Sequence, residues 1–144
     1  MHNCTVLHFN ALNTSQLHRI YTLRSKVFIV EQNCVYNDVD AIDLISFHLL
    51  IEHQNSLIAY CRIYLVENCF HIGRVVVDLN FRKSGIGKKL MQNAIEFCKN
   101  QNSTLAIKIS AQNYLIKFYN NLGFIEQGNV YLEDGIPHVK MELL

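Results

Sequence analysis

The segment best suited to chemistry is a short glycine-containing turn, Arg82-Lys83-Ser84-Gly85-Ile86-Gly87-Lys88, between a predicted strand and a predicted helix. The β-branched run Val75-Val76-Val77 before it is typical of a strand. The first turn of the following helix presents unpaired backbone N–H groups and the positive end of the helix dipole. Glycine at positions 85 and 87 lets a ligand approach the backbone closely, and the neighbouring basic side chains add positive charge. These features predict a pyrophosphate-binding site.

The glycine spacing excludes the two commonest phosphate loops. A P-loop requires G-x-x-x-x-G-K-[ST] and a Rossmann turn requires G-x-G-x-x-G, and the sequence contains neither. A nucleotide-binding protein that uses this turn is therefore a weak alternative. Two of the six glycines fall in the turn, which favours a ligand site over a plain turn with solvated lysines.

The elements that must position this turn form a mixed α and β pattern without repeats or linkers. Alternating apolar residues predict strands at Thr5–Phe9, Ser46–Glu52, Leu57–Val66, Cys69–Val77, Thr104–Ser110, Phe124–Leu132 and His138–Leu143. Helical periodicity predicts a helix capped by Thr14 or Ser15 and reaching Phe28, and further helices at Gly85–Lys99 and Asn113–Leu122. Glu31–Leu44 has weak periodicity, which predicts a loop or an irregular helix. The order of elements predicts an α/β or α+β fold on a mixed sheet, with residues 1–144 as one domain.

Two spaced motifs connect the turn to a known family. Arg82-x-x-Gly85-x-Gly87 resembles the [R/Q]-x-x-G-x-[G/A] signature of the acetyl-CoA site in the GNAT superfamily of N-acetyltransferases. Downstream, Tyr119-Asn-Asn-Leu-Gly123-Phe124 has the Y-x-x-x-G-F form that closes the next helix in that superfamily. The resemblance implies the GNAT acyl-CoA N-acyltransferase fold, a mixed central sheet flanked by helices and splayed between its fourth and fifth strands.

Further blocks are similar to the ElaA-type branch of the GNAT superfamily. In chain order they are Arg24-x-x-Val27-Phe28-x-Val30-Glu31-Gln32-x-Cys34-x-Tyr36-x-Asp38-x-Asp40, Ile72–Val77, Ser110–Gln112 and Val130–His138. The matches begin near residue 17 and cover nearly all of the remaining chain. Asp78-Leu79-Asn80 departs from the superfamily, where a proline often follows the strand, and this predicts a less rigid turn.

The resemblance implies acetyl-CoA as co-substrate, without a metal. The backbone of Val75, Val76 and Val77 would pair with the pantetheine arm, and the Val77 N–H would stabilise the oxyanion formed by direct attack. The segment from Arg82 to Lys88 would hold the pyrophosphate, and Asn113 would brace the pantetheine. Tyr119 would lie beside the sulfur, as part of the cofactor site and as general acid. A phenol with a pKa of about 10 could return a proton to a thiolate whose parent thiol has a pKa of about 8.5; the alternative is a Tyr119 that only packs and hydrogen-bonds the sulfur.

An attacking amine must first lose its proton, so the site also needs a base. Glu31 and His138 are the preferred candidates, because they lie in the ElaA-type blocks without an evident packing reason to be polar. The other candidates are Asp78, Glu133, His48 and His71. Asp38, Asp40, Asp43, Glu133 and Asp134 could together form an acidic acceptor mouth that favours a cationic amine, although for each one alone a solvated loop carboxylate is the preferred interpretation. An acyl-carrying Cys34 with His138 as partner is an alternative, but direct attack in a ternary complex is the simpler mechanism.

Properties of the whole chain limit its partners and location. The formal charge of +1 and the lack of a basic run predict binding to neither nucleic acid nor an anionic membrane surface. No signal peptide and no apolar run of about 20 residues is recognisable, and the five cysteines include no C-x-x-C pair. We therefore predict a cytoplasmic protein with reduced thiols. The resemblance implies a small-molecule or peptide amine as the acceptor. A homodimer formed through an exposed strand edge stays open, as does a non-catalytic acyl-CoA-binding or sensing module with the same fold.

Overall fold

One mixed sheet of seven strands organises the computed structural model, which describes residues 2–144. Its strands are β1 (Asn3–His8), β2 (Phe47–His53), β3 (Ser56–Val66), β4 (Cys69–Val77), β5 (Ile107–Gln112), β6 (Ile125–Glu133) and β7 (Ile136–Leu143). The spatial order is β1-β2-β3-β4-β5-β7-β6, and β4–β5 is the parallel pair among otherwise antiparallel neighbours. The predicted α/β class and mixed sheet are confirmed.

Helices cover both faces of this sheet. They are α1 (Thr14–Arg24), which continues directly into a π-helical segment (Ser25–Glu31), then α2 (Ile42–Ile45), α3 (Ile86–Gln101) and α4 (Ile116–Asn120). The predicted cap of α1 at Thr14 or Ser15 is wrong by one or two residues. Asn13 is the N-cap, because its Oδ1 accepts the Gln16 N–H at 2.7 Å while the Gln16 Oε1 accepts the Asn13 N–H at 2.9 Å.

Two apolar clusters hold the helices in place. On one face, Leu90, Met91 and Ala94 of α3 pack against inward residues of β2 to β5 and β7 in the larger cluster. On the other face, Ile20 and Leu23 of α1 form a smaller cluster with side chains from β2, β3 and β4. The helices thereby fix the sheet from both sides next to the end of β4.

The sheet opens between β4 and β5, as predicted. Only Phe70–Ile107 and His71–Lys108 pair across these strands, so the rest of β4 has no ladder on that side. β4 keeps its pairing with β3 as far as Val77. The two strands therefore diverge toward their carboxyl ends, where the glycine turn begins.

Some boundaries differ from those predicted. The segment Glu31–Leu44 is mostly irregular, as predicted, with α2 beginning at Ile42. The predicted helix Asn113–Leu122 is instead a 3-10 turn followed by the short α4. The strand predicted at Thr104–Ser110 begins later, at Ile107, because an Asn102 side-chain cap holds Thr104 in a turn. Among the described residues 2–144, no helix combines the length and apolar character required to cross a membrane.

Candidate functional site

An open cleft of about 630 Å³ lies between the diverging ends of β4 and β5. Val75–Val77 of β4 line one wall, and Ser110 and Gln112 of β5 line the opposite wall. The cleft has a basic part at Arg82, Lys83 and Lys88 and an acidic part at Glu133 and Asp134. Its volume is within the range of about 300–1,000 Å³ that is usual for small-molecule sites.

The glycine turn supplies free backbone donors at the basic part of the cleft. Gly85 caps α3 in the left-handed conformation, with φ 85°, and provides no side-chain cap. The Lys89 N–H is the first to bond back within the helix, to the Gly85 carbonyl at 3.1 Å. The N–H groups of Ile86, Gly87 and Lys88 therefore remain for a ligand, beside the positive end of a 16-residue helix. An anion is the ligand that such a site favours.

Arg82 connects the turn to the π-helical segment. Its Nε donates to the Val77 carbonyl at 3.0 Å, and its Nη1 and Nη2 donate to the two carboxylate oxygens of Glu31 at 2.5 and 2.9 Å. The hydrogen bonds to Glu31 outweigh partial burial and raise the pKa of Arg82. Arg82, which was expected to bind the pyrophosphate, and Glu31, which was expected to act as a base, are thus paired with each other.

The end of β4 turns backbone groups toward the cleft. The Asp78 N–H donates to the Ile58 carbonyl on β3 at 2.8 Å. Because N–H groups of an extended strand alternate in direction, the preceding Val77 N–H faces the open side. The Val77 carbonyl faces that side too, where it meets Arg82. A strand-like ligand in the cleft would find one donor at the position predicted for the oxyanion.

Tyr119 lies beside these groups on α4. It is 5% exposed, lines the cleft, and has edge-to-face contacts with Phe118 and Phe124. Burial raises its pKa above the ordinary value, so the phenol keeps its proton throughout the neutral range. The side chain can therefore act as a donor within the cleft.

The acidic part of the cleft contains a hydrogen-bonded group of side chains from β5, β6 and β7. The His138 Nδ1 is 2.7 Å from the Ile136 carbonyl, and since a carbonyl only accepts, Nδ1 carries a hydrogen. The His138 Nε2 is left facing the Glu133 Oε2 at 3.5 Å. The Ser110 hydroxyl lies 3.3 Å from the Glu133 Oε1 and also hydrogen-bonds the Tyr131 hydroxyl. These acceptor atoms suit a ligand that carries N–H groups.

The predicted acidic mouth is wrong for its three aspartates. Asp38 and Asp43 are buried, and Asp40 is only partly exposed; all three pair with arginines instead of facing an acceptor. Arg24, itself fully buried, donates to Asp38 at 2.8 Å and to Asp43 at 2.7 Å. Burial alone would raise the pKa of Asp43, but hydrogen bonds from Arg24 and Arg62 hold it below the ordinary value. Six charges thus neutralise one another in a structural cluster, which we call the Arg–Asp cluster: Arg24, Arg62, Arg74, Asp38, Asp40 and Asp43.

Three further base candidates lie away from the lining of the cleft. His48 is fully buried and bonds the Tyr60 hydroxyl and the Asp43 carbonyl, and burial lowers its pKa. His71 stacks on Tyr64 at the paired part of β4. The Asp78 carboxylate caps the Leu79–Phe81 turn by accepting the Asn80 N–H at 2.9 Å. Glu31, Glu133 and His138 are the candidates that do line the cleft.

The cofactor residues expected from the sequence are mostly found in the cleft lining. Nine of them line it: Val75, Val76, Val77, Arg82, Lys83, Gly85, Gly87, Lys88 and Tyr119. Ser84, Ile86 and Asn113 are not part of the lining. The Ser84 hydroxyl bonds the Phe81 carbonyl, the Ile86 side chain is buried in the larger core cluster, and Asn113 is exposed at the start of a 3-10 turn. A contribution of Ser84 and Ile86 to ligand binding would have to come from their backbone.

Sequence reasoning missed the apolar part of the lining. Val27 and Phe28 reach the cleft from the π-helical segment, and Tyr114 and Phe118 reach it from the β5–α4 region. A helix of the π type is rare and often occurs at functional sites. The sequence signal that could have identified the π-helical segment as part of the cleft is the apolar stripe that continues past Arg24. Within the described residues, no group of three or more His, Cys, Asp or Glu side chains is arranged to hold a metal ion.

Comparisons with known proteins agree with this geometry. A family model described as an acetyltransferase (GNAT) domain matches residues 18–144. The UPF0039 protein C11D3.02c of Schizosaccharomyces pombe is 45% identical over 139 residues, which cover 94% of this chain and 93% of that protein. The crystal structure of Escherichia coli ElaA superposes with a TM-score of 0.96 at 37% identity, and that of an acyl-CoA N-acyltransferase from Pseudomonas aeruginosa with 0.96 at 34% identity. Both structural matches cover 100% of each chain.

Proposed function

Since this chain belongs to the GNAT acetyltransferase family, we propose that it transfers an acetyl group from acetyl-CoA to a primary amine by direct attack in a ternary complex. Membership in the family supports acyl transfer in general. The proposal that the donor is acetyl-CoA and the acceptor is an amine depends on one observation: the two ends of the cleft differ in charge. Free helix N–H donors lie at the glycine turn, and acceptor atoms lie around Glu133 and His138. A CoA thioester matches the first part and a protonated amine matches the second.

The donor half of the proposal concerns acetyl-CoA. The N–H groups of Ile86, Gly87 and Lys88 would hold the pyrophosphate, and Lys83 and Lys88 would add charge. A Cβ at Gly87 would lie 3.7 Å from Phe118 and from Val77, which is ordinary contact, so protein packing does not require glycine there. Its absence of a side chain is explained better by close approach of a ligand.

The acceptor half concerns the amine. Glu133 is 46% exposed at its side chain and lies 3.5 Å from the His138 Nε2. A protonated primary amine between them would find a carboxylate and a ring nitrogen within hydrogen-bonding distance. We propose a small-molecule or peptide amine that arrives as a cation and is bound first through Glu133.

His138 is the better of the two preferred bases. Its Nδ1–H is held by the Ile136 carbonyl, so in the neutral ring the Nε2 lone pair is free to take a proton from the amine. Glu31 accepts both of its hydrogen bonds from Arg82 and would have to exchange this pair before it could act. The proposed base is therefore His138, with Glu31 as a residue that orients Arg82.

The proposed step balances as follows. His138 takes one proton from the ammonium, the nitrogen lone pair forms a bond to the acetyl carbon, and the Val77 N–H stabilises the oxyanion. The carbon–sulfur bond breaks, and the sulfur receives a proton from Tyr119. Tyr119 regains its proton from the nitrogen of the new amide, and His138 later releases its proton to solvent. The Cys34 thiol donates to the Asp134 carbonyl at 3.2 Å, and no acyl-cysteine is needed in this sequence.

The experiment is an acetyl-CoA turnover screen over polyamines, amino sugars, lysine peptides and peptide N-termini, followed by release of free CoA thiol. We expect release with at least one cationic amine and a sequential bisubstrate pattern. His138→Gln should abolish most turnover while binding of acetyl-CoA persists, and Glu31→Gln should retain turnover with weaker cofactor binding. Cofactor binding without thiol release across the whole panel would contradict the proposal and indicate a sensing module; a ping-pong pattern would contradict direct attack.

Two wider expectations accompany this proposal. The five cysteines are free thiols, which supports a location in the reducing cytoplasm. The outer edge of β6 has no neighbouring strand among residues 2–144, which supports a homodimer through strand pairing. Sedimentation velocity across a concentration series measures the second expectation, and a monomer at all concentrations would contradict it.

A further inference from the structure

The end of β4 owes its direction to a β-bulge. Across β3 and β4, Gly73 pairs with Arg62 and Val76 pairs with Tyr60, so Arg74 and Val75 together oppose the single residue Cys61. Such a bulge bends the strand and changes the way that its later groups point. Here the later groups are Val75–Val77, which line the cleft.

The first residue of this bulge has a backbone conformation that favours glycine. Arg74 has φ 50°, in the left-handed region. A bulge with its first residue in that region usually has glycine there. The chain has a glycine one position earlier, at Gly73, whose φ is outside the left-handed region. A left-handed arginine costs free energy and persists only where its surroundings hold it in place.

The side chain of Arg74 shows what holds it. Its Nε lies 2.8 Å from the Asp38 Oδ1, and its Nη2 donates to the Asp38 carbonyl at 3.0 Å. A longer contact of 3.5 Å reaches the Asp40 carboxylate, and the guanidinium lies 5.5 Å from the centre of the Tyr36 ring. All three partners belong to the loop between the π-helical segment and α2. The guanidinium therefore connects the bulge to a different part of the fold.

This loop is itself held in place by hydrogen bonds to Asp38. The Asp38 Oδ2 accepts from the Nε of the fully buried Arg24 at 2.8 Å, and its Oδ1 accepts from the Tyr36 hydroxyl at 2.9 Å. Arg24 also donates a hydrogen bond to Asp43, and Asp43 accepts another from Arg62. The contacts of Arg74 thus belong to the Arg–Asp cluster, whose other two arginines lie on α1 (Arg24) and on β3 (Arg62).

We propose that Arg74 is a positioning residue for acyl transfer. By tying the left-handed bulge to Asp38, it sets the direction of Val75–Val77 and aims the Val77 N–H at the thioester carbonyl. This inference rests on the proposed function, because it assumes that the Val77 N–H stabilises the oxyanion during acetyl transfer. The tether itself does not depend on which amine is the acceptor.

The test uses Arg74→Gly, which suits the backbone conformation but removes the tether. Glu67→Gly is the control for the backbone change alone, because Glu67 has φ 52° in the β3–β4 turn and does not line the cleft, whereas Arg74 does. We expect Arg74→Gly to fold and to lower kcat by about 10- to 100-fold, because a small misplacement of the oxyanion donor is costly. The affinity for CoA, measured by calorimetry, should change by less than about three-fold, since the glycine turn is intact. Added ethylguanidinium should restore part of the lost rate.

A second readout needs no turnover. In ¹⁵N–¹H spectra, Arg74→Gly should shift the amide signal of Val77, which lies three residues from the substitution, in the free and acetyl-CoA-bound protein while those of Gly85 and Gly87 stay in place. An Arg74→Gly protein that keeps the parent's kcat, or whose Val77 amide signal stays in place, would overturn the inference. If Arg74→Gly fails to fold, Arg74→Lys serves instead and should show the same pattern in a milder form, because lysine keeps the charge without the planar fork. Absence of turnover in the parent protein would defeat the proposed function alone, because the amide signals still report on the tether.

Discussion

Replacing Gly85 by alanine separates the ligand role of the glycine turn from its conformational role. Gly85 has φ 85°, and a Cβ built there meets no atom within 4 Å. Gly128 provides a matched control, because it has φ 87°, also has open space at its Cβ, and lies in β6 outside the cleft lining. Each alanine substitution should therefore lower the free energy of unfolding by about 1–2 kcal/mol from the left-handed backbone alone. The two variants should have similar melting temperatures, each a few degrees below the parent.

The effect on CoA binding should differ between the two variants. A methyl group at position 85 would occupy the space next to the N–H groups of Ile86 and Gly87, where the pyrophosphate is proposed to bind. Loss of one hydrogen bond to a charged group costs about 1.5–3 kcal/mol, which is about a 10- to 150-fold increase in Kd. Gly128→Ala should leave the Kd for CoA unchanged.

Calorimetric titration with CoA and thermal unfolding of the same preparations measure both effects. Titration with dephospho-CoA as a second ligand should show the same ratio between parent and Gly85→Ala, because the pyrophosphate is common to both molecules. If Gly85→Ala and Gly128→Ala bind CoA with the same affinity, the pyrophosphate does not lie on the glycine turn and the donor half of the proposal is refuted.

Four further outcomes are expected. Tyr119→Phe should lower kcat by about 100-fold with an unchanged Kd for acetyl-CoA in calorimetry, because it removes the proton donor and not the ring; full turnover would exclude the donor role. Glu133→Gln should raise KM for a cationic amine about two- to five-fold, with KM for acetyl-CoA unaffected; equal effects on both would place Glu133 outside the acceptor site. Asp43→Asn should cost about 3–5 kcal/mol in urea unfolding, because Arg24 and Arg62 each lose one of two carboxylate partners and the Arg–Asp cluster is left with one uncompensated buried positive charge. Because the pKa of Asp43 is lowered in the folded state, its contribution is complete above about pH 5 and is lost as the pH falls through the lowered value; parent stability that stays constant down to about pH 3 would contradict this.

The parts of the site predicted correctly from the sequence are local in the chain. The glycine turn depends on a strand, a left-handed residue and the first turn of a helix, all within Val75–Lys88, so its geometry follows from neighbouring residues. The strand positions follow from period-two alternation in the same way. The separation of β4 from β5 has no local signal, and it was predicted only through the resemblance to the GNAT superfamily.

The Arg–Asp cluster shows why the remainder could not be predicted. Asp38 and Asp40 lie in an irregular segment and Asp43 follows in the short α2; in the sequence, this spacing of acidic residues is also typical of solvated loops. Their partners come from α1, β3 and β4, between 14 and 36 residues away in the chain. The one available signal was an arginine inside an apolar strand, since Arg62 lies in a run that is otherwise almost wholly buried. A buried arginine requires a carboxylate partner, but the spacing does not say which.

The segment from Glu31 to Cys34 also connects the basic and acidic parts of the cleft. Glu31 binds Arg82 at the glycine turn, the Gln32 side chain accepts from Gln112 at the end of β5 at 3.4 Å, and Cys34 donates to Asp134 at the β6–β7 turn. Three successive contacts therefore join one segment to three sides of the cleft. A residue bound in this way is suited to holding the walls together and poorly suited to accepting a proton, because protonation of Glu31 would release Arg82. This is a structural reason to assign the base to His138, whose Nε2 is the ring nitrogen left free by its own backbone contact.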